Sequence, residues 1–111
     1  MMKKWSLVLL LAFAAFPVFS EEVTAFYVLN NTGFTIKSVF LCPADTENWG
    51  PAVFNGYIYN GQNTRINLAP PVQSGSYHIR LVDIDGDRYS KFGVEVKDFE
   101  TVEITIGEFD F

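Results

Sequence analysis

The stretch Tyr77-His78-Ile79-Arg80-Leu81-Val82-Asp83-Ile84-Asp85-Gly86-Asp87-Arg88-Tyr89-Ser90-Lys91-Phe92-Gly93-Val94-Glu95-Val96 decides the fold. Tyr77, Ile79 and Leu81 alternate with His78, Arg80 and Val82. Beyond Asp85-Gly86, Phe92, Val94 and Val96 alternate with Lys91, Gly93 and Glu95. A period of two places successive side chains on opposite faces of a strand, one face apolar and one polar. Asp-Gly is a strong turn dipeptide, so the stretch predicts a hairpin of His78–Asp83 and Arg88–Val96.

The same period runs outward in both directions. Val102, Ile104 and Ile106 share one face against Thr101, Glu103 and Thr105, and Ile66 and Leu68 alternate with Arg65 and Asn67. Thr24–Leu29 is apolar on both faces, which predicts a strand buried on both sides. In Phe34–Leu41 the parity changes: Phe34 and Ile36 belong to one face, Val39 and Leu41 to the other. A bulge at Lys37-Ser38 returns both pairs to the core. Turns punctuate the runs. Asn30-Asn31-Thr32-Gly33 joins the first two strands, with Gly33 or Asn31 able to take positive φ. Asn60-Gly61 is read as closing a hairpin between Ala52–Tyr59 and Thr64–Leu68. Pro70-Pro71 marks a crossover, because proline cannot donate to a ladder. No segment beyond residue 20 has a helical period. The expectation is all-β: one two-sheet antiparallel β-sandwich of about seven strands, with Ile36, Ile66, Ile79, Leu81, Val94, Ile104 and Ile106 in its core.

Residues 1–20 read differently. Lys3 and Lys4 precede the uncharged run Trp5–Phe16, and Pro17-Val18-Phe19-Ser20 leads into Glu21-Glu22. This is the pattern of a secretory signal peptide, with Val18 and Ser20 at the small-residue positions of the cleavage site. The apolar run is short of the ~20 residues of a membrane span. The expected division is therefore a signal peptide at 1–20 and a β-sandwich domain at 21–111, periplasmic or secreted, with no stable membrane insertion after cleavage.

A domain of this size buries only roughly 60–65% of its unfolded surface, so its many aromatic rings matter to the core. Without Lys3 and Lys4, six basic residues face 13 acidic ones, a net charge of −7. Such a chain repels nucleic acid, which needs a basic patch. Cys42 is the one cysteine. It forms no intramolecular disulfide, lies far from any lipid-attachment position, and is expected to be a small buried hydrophobe, the alternative being an intermolecular disulfide or a reactive thiol.

Three features carry candidate chemistry. Asp83, Asp85 and Asp87 place three carboxylates within five residues, oxygen chemistry suited to Ca²⁺. The EF-hand spacing fails, because with Asp83 at position 1 the glycine position is Arg88 and the bidentate glutamate position is Val94. The competing reading is a solvated hairpin tip. Trp49, in the polar loop Asp45–Pro51, suits stacking on a sugar or anchoring a partner. Its alternative, the favoured one, is a cap on the open end of a small core. Tyr57 and Tyr59 share a face and either extend the Trp49 surface or enter the core. Phe109-Asp110-Phe111 is expected to pack on the sandwich edge. The lone histidine, His78, lies on the outer face with no partner cysteine, and no Gly-x-Ser-x-Gly elbow surrounds any serine. Catalysis has little to build on.

Three segments together resemble a family of small exported bacterial proteins of unknown function. They are Phe26–Ile36 with its Asn-x-Thr-Gly turn, the Trp49-Gly50 loop with Gly61-Gln62 leading to Ile66 and Leu68, and Tyr77–Arg80 running to Asp85-Gly86. The chain departs from that family in lacking the second cysteine and the tryptophan that often flank the last hairpin. The resemblance implies an exported all-β domain and no activity. The reading is an exported, non-catalytic binding or structural module with an unknown protein or glycan partner, monomeric or weakly dimeric. The alternatives are a carbohydrate- or calcium-binding module and, last, a small hydrolase using paired carboxylates. No cofactor is implied beyond Ca²⁺ at the acidic tip.

Overall fold

A computed structural model describes residues 21–111, so the expected signal peptide lies outside the described residues. The alternating runs become strands β1 (Glu22–Asn31), β2 (Ile36–Pro43), β3 (Phe54–Ile58), β4 (Asn63–Gln73), β5 (Gly75–Asp83), β6 (Arg88–Val96) and β7 (Thr101–Thr105). A single 3-10 turn, Ile106–Glu108, follows. The fold is all-β, with a three-stranded sheet ordered β4-β1-β7 and a four-stranded sheet ordered β3-β2-β5-β6. Their inner faces meet in one core. Val23, Phe26, Val28, Ile66, Leu68, Val102 and Ile104 come from the first sheet, and Ile36, Val39, Leu41, Ile58, Ile79, Leu81, Tyr89 and Val96 from the second. Cys42 is fully buried, as its apolar setting predicts.

The connections correct the hairpin reading of Asn60-Gly61. That turn reverses the chain, but β3 pairs with β2 while β4 pairs with β1, so the two strands leave it into opposite sheets. Pro70-Pro71 is not a crossover but lies within β4. Ala25 pairs with Asn67 and Val23 with Val72, so residues 68–71 bulge from the ladder where the prolines have no N–H to donate. The change of sheet comes at Ser74, whose N–H donates to the Glu21 carbonyl at 2.7 Å. One pair is not antiparallel: β7 arrives from β6 in the other sheet and runs parallel to β1, from Tyr27 opposite Thr101 to Asn31 opposite Thr105. Alternation records which side chains face the core and carries nothing about a neighbour's direction.

The bulge at Lys37-Ser38 is present, as a register shift between Ile36 and Ser38 against both neighbours, and it turns Val39 and Leu41 inward. Phe34 does not join them. It is 49% exposed, because it precedes β2 in the turn. A further shift lies opposite His78: Tyr77 pairs with Val94 and Ile79 with Lys91, so Phe92 and Gly93 together oppose His78 and β6 carries one extra residue. Gly93 has φ +65°, a conformation open to glycine. Phe92 therefore points outward, 61% exposed, instead of sharing the core face of Val96, while Val94 is only partly buried. Ile106 also leaves the expected core at 55% exposed, because the 3-10 turn ends the alternation at Thr105.

The Asn30-Asn31-Thr32-Gly33 turn is held by a buried amide. Asn30 Nδ2 donates to the Phe34 and Ile58 carbonyls at 2.7 and 2.8 Å, while Oδ1 accepts from Thr32 N and Thr32 Oγ1. The Asn30 backbone bonds Gln62 and Gly61, and Gly33 N donates to Asn60 Oδ1. One side chain thus ties the end of β1 to the entry of β2 and the end of β3. Each of its hydrogen-bonding sites is used, which is what makes a buried amide tolerable.

Candidate functional site

β5 and β6 place polar and aromatic side chains on the outer face of the four-stranded sheet, and the loop after β2 lays Trp49 across them. The Arg80 guanidinium carbon lies 4.2 Å from the Trp49 ring centroid. His78 is 6.2 Å from the same ring and 5.0 Å from Phe92, whose ring meets it edge-on. His78 Nδ1 accepts from the Gly93 N–H at 3.1 Å, so the bulge that turns Phe92 outward also orients the imidazole. Phe40, Trp49, Arg80, Val82 and Arg88 line a shallow cavity of about 160 Å³. Two of the chain's three arginines border it.

Arg80 is held in place. Its Nε donates to Ser90 Oγ at 2.9 Å and stands 3.8 Å from Asp110 Oδ2, and Ser90 Oγ in turn donates to that oxygen at 2.7 Å. A guanidinium stacked on an indole and fixed at one nitrogen is oriented to meet anionic or aromatic groups.

Trp49 stands outside the buried core cluster and is half-buried. It also borders a larger cleft of about 430 Å³ at the seam of the two sheets, with Leu41, Val53, Leu68, Pro70 and Val72 among the walls. The residue serves both the seam and the outer face. Tyr57 and Tyr59 are exposed, with ring centroids 6.3 Å apart, and so are surface residues rather than core. Trp49 packs with Arg80 and His78 instead of with them.

The acidic tip is organised around Asp83, which is buried. Its Oδ1 accepts from the Asp85 and Asp87 backbone N–H groups, both at 2.9 Å, and its Oδ2 accepts from the Tyr89 hydroxyl at 2.9 Å. Asp85 and Asp87 are exposed, so the three carboxylates do not converge. Among the described residues no three His, Cys, Asp or Glu side chains gather closely enough to hold a metal ion. Burial, then the bond to Asp83 and the charges around it, push the Tyr89 phenol far above its ordinary range. Burial also raises the Cys42 thiol, partly offset by its bond to Thr46 and by Arg80, so it remains a packed thiol.

The sequence did not point to Ser90 or Asp110 as members of this face. Outward alternation of His78 and Arg80 was readable, but their meeting with Trp49 depends on the path of an irregular loop. Comparison with protein-family models, curated proteins and solved structures finds no match. No helix among the described residues is long and apolar enough to cross a membrane.

Proposed function

We propose that this is an exported, non-catalytic binding module whose binding surface is the outer face of β2, β5 and β6 around Trp49. The observation that carries the reading is the Arg80 guanidinium stacked on Trp49 at 4.2 Å, in a patch the core does not use. Tryptophan and arginine are among the residue types that dominate binding energy at interfaces, and phenylalanine is enriched there. The resemblance to small exported proteins and the signal-like residues 1–20 support the compartment. Carbohydrate binding through Tyr57 and Tyr59 is the second reading, favoured by the exposure of that ring pair.

The test is an amide and indole N–H spectrum of the protein titrated with desalted envelope extract. Shifts confined to the Trp49 indole, Arg80 and Ser90 support the proposed face, and shifts at Tyr57 and Tyr59 alone transfer the reading to the second surface. Intact mass of the protein recovered outside the cytoplasm checks the compartment, with loss of residues 1–20 expected.

A further inference from the structure

Part of this face already carries an occupant, the segment after β7. Thr105 and Glu108 close the 3-10 turn by reciprocal bonds, Gly107 N to Thr105 Oγ1 and Thr105 N to Glu108 Oε2, and the turn carries the chain to the outer edge of β6. There Phe109 bridges antiparallel to Tyr89, and the Asp110 N–H donates to the Arg88 carbonyl at 2.8 Å. The Phe109 ring meets Tyr89 edge-on at 5.5 Å and packs against the core. The Asp110 carboxylate takes the Ser90 hydroxyl and lies beside Arg80. Phe111 is exposed and stands edge-on to Phe109 at 4.9 Å.

These contacts are those of strand addition. Main-chain bonds to a sheet edge supply affinity, and alternate side chains supply selectivity. One residue fills an aromatic slot beside Tyr89, and the next delivers a carboxylate to Arg80 and Ser90. The hold is short. A single bridge pairs the segment with β6, which has β5 on its other side and no further strand neighbour among the described residues. An edge with unpaired main-chain groups is a template for another strand. Arg80 and Arg88 border this edge, and with Asp110 displaced they offer two guanidinium groups to a carboxylate-bearing partner.

We infer that the outer edge of β6 is a docking site for an extended peptide bearing an aromatic residue followed by a carboxylate, and that Phe109-Asp110 occupies it in cis until a partner strand displaces it. The inference rests on the reading of this face as a binding surface and names the chemistry of its partner.

Calorimetric titration of the purified full chain with the acetylated, amidated peptide Gly-Glu-Phe-Asp-Phe tests it. Removing the resident carboxylate in Asp110→Asn raises the fraction of open sites, so the peptide binds about tenfold tighter than to wild type. Phe109→Leu loosens the resident ring without touching Arg80 or Ser90 and shifts affinity the same way, which keeps the test intact if Asp110→Asn folds poorly. A peptide with Asn in place of Asp loses the gain, and Arg80→Gln removes the preference for Asp over Asn. Equal affinity in wild type and both variants, or equal binding of the Asp and Asn peptides, overturns the inference. If the peptide binds no variant while envelope extract still shifts Arg80 and Trp49, peptide docking fails and the binding face stands. If neither produces a response, both fail.

Discussion

Replacing Asn30 by Ala is expected to destabilise the domain by about 3 kcal/mol. The amide makes four hydrogen bonds of 2.7–3.1 Å: two donated, to the Phe34 and Ile58 carbonyls, and two accepted, from the Thr32 N–H and hydroxyl. Each such bond contributes about 0.5–1.5 kcal/mol net, and a buried group left without its partner costs more than the bond alone. Two of the four losses are softened, because Thr32 Oγ1 and the Phe34 carbonyl still bond each other at 3.2 Å. About 3 kcal/mol is a large share of the roughly 5–10 kcal/mol available to a domain of this length. Urea unfolding followed by far-UV circular dichroism reads it as a midpoint lower by about 2–3 M, at a slope of roughly 1–1.5 kcal/mol per molar. Asn31, one residue on, is exposed and donates a single side-chain bond to Glu103, so Asn31→Ala is expected to stay within about 0.5 kcal/mol. A loss below about 1 kcal/mol for Asn30→Ala, or equal losses for the two asparagines, refutes the assignment of Asn30 as the tie between the sheets.

Ile104→Ala is expected to cost about 2–5 kcal/mol and Ile106→Ala under about 0.5, since the first side chain is fully buried and the second exposed; urea midpoints of the two variants check the contrast. Asp98 accepts from Thr24 N, Thr24 Oγ1 and Ala25 N, and chiefly the Thr24 backbone bond holds its carboxyl below the ordinary value of 3.8. Its contribution is present above that unfolded-state value and is lost as pH falls through the lower folded-state value. The stability gap between wild type and Asp98→Asn should therefore be steady near neutral pH and close below about pH 4, which unfolding curves from about pH 7 to about pH 3 measure. Millimolar Ca²⁺ is expected to leave the melting temperature where chelator leaves it, because Asp83 is spent on Asp85, Asp87 and Tyr89; a rise of several degrees that vanishes in Asp85→Asn overturns this.

Local alternation made the sandwich legible. Tyr77–Val82 and Thr101–Thr105 follow the period of two without exception, and the parity break at Lys37-Ser38 disclosed its own bulge. The bulge at Phe92-Gly93 stayed hidden because Phe92, Val94 and Val96 already alternate, and only the positive φ of Gly93 breaks that pattern. The pairing of strands was not readable either. A turn such as Asn60-Gly61 specifies a reversal, whereas the sheet each strand joins depends on contacts as distant as that between Asn30 and Gln62. The site was legible in pieces. Trp49 stood out by residue type and loop position, and Arg80 by its outward parity. Asp110 gave no signal, because its carboxylate matters only after the 3-10 turn has brought it to β6.

The central claim is that the Trp49 face is kept for binding and not for folding. The most direct test is the unfolding free energy of Trp49→Ala, measured in urea by circular dichroism. The account predicts a loss of about 1–2 kcal/mol, the scale of one partly exposed cation–π contact with Arg80 together with half-burial of the indole. A loss of about 3 kcal/mol or more, the scale of a core aromatic, would contradict it and make Trp49 a structural plug for the seam between the sheets.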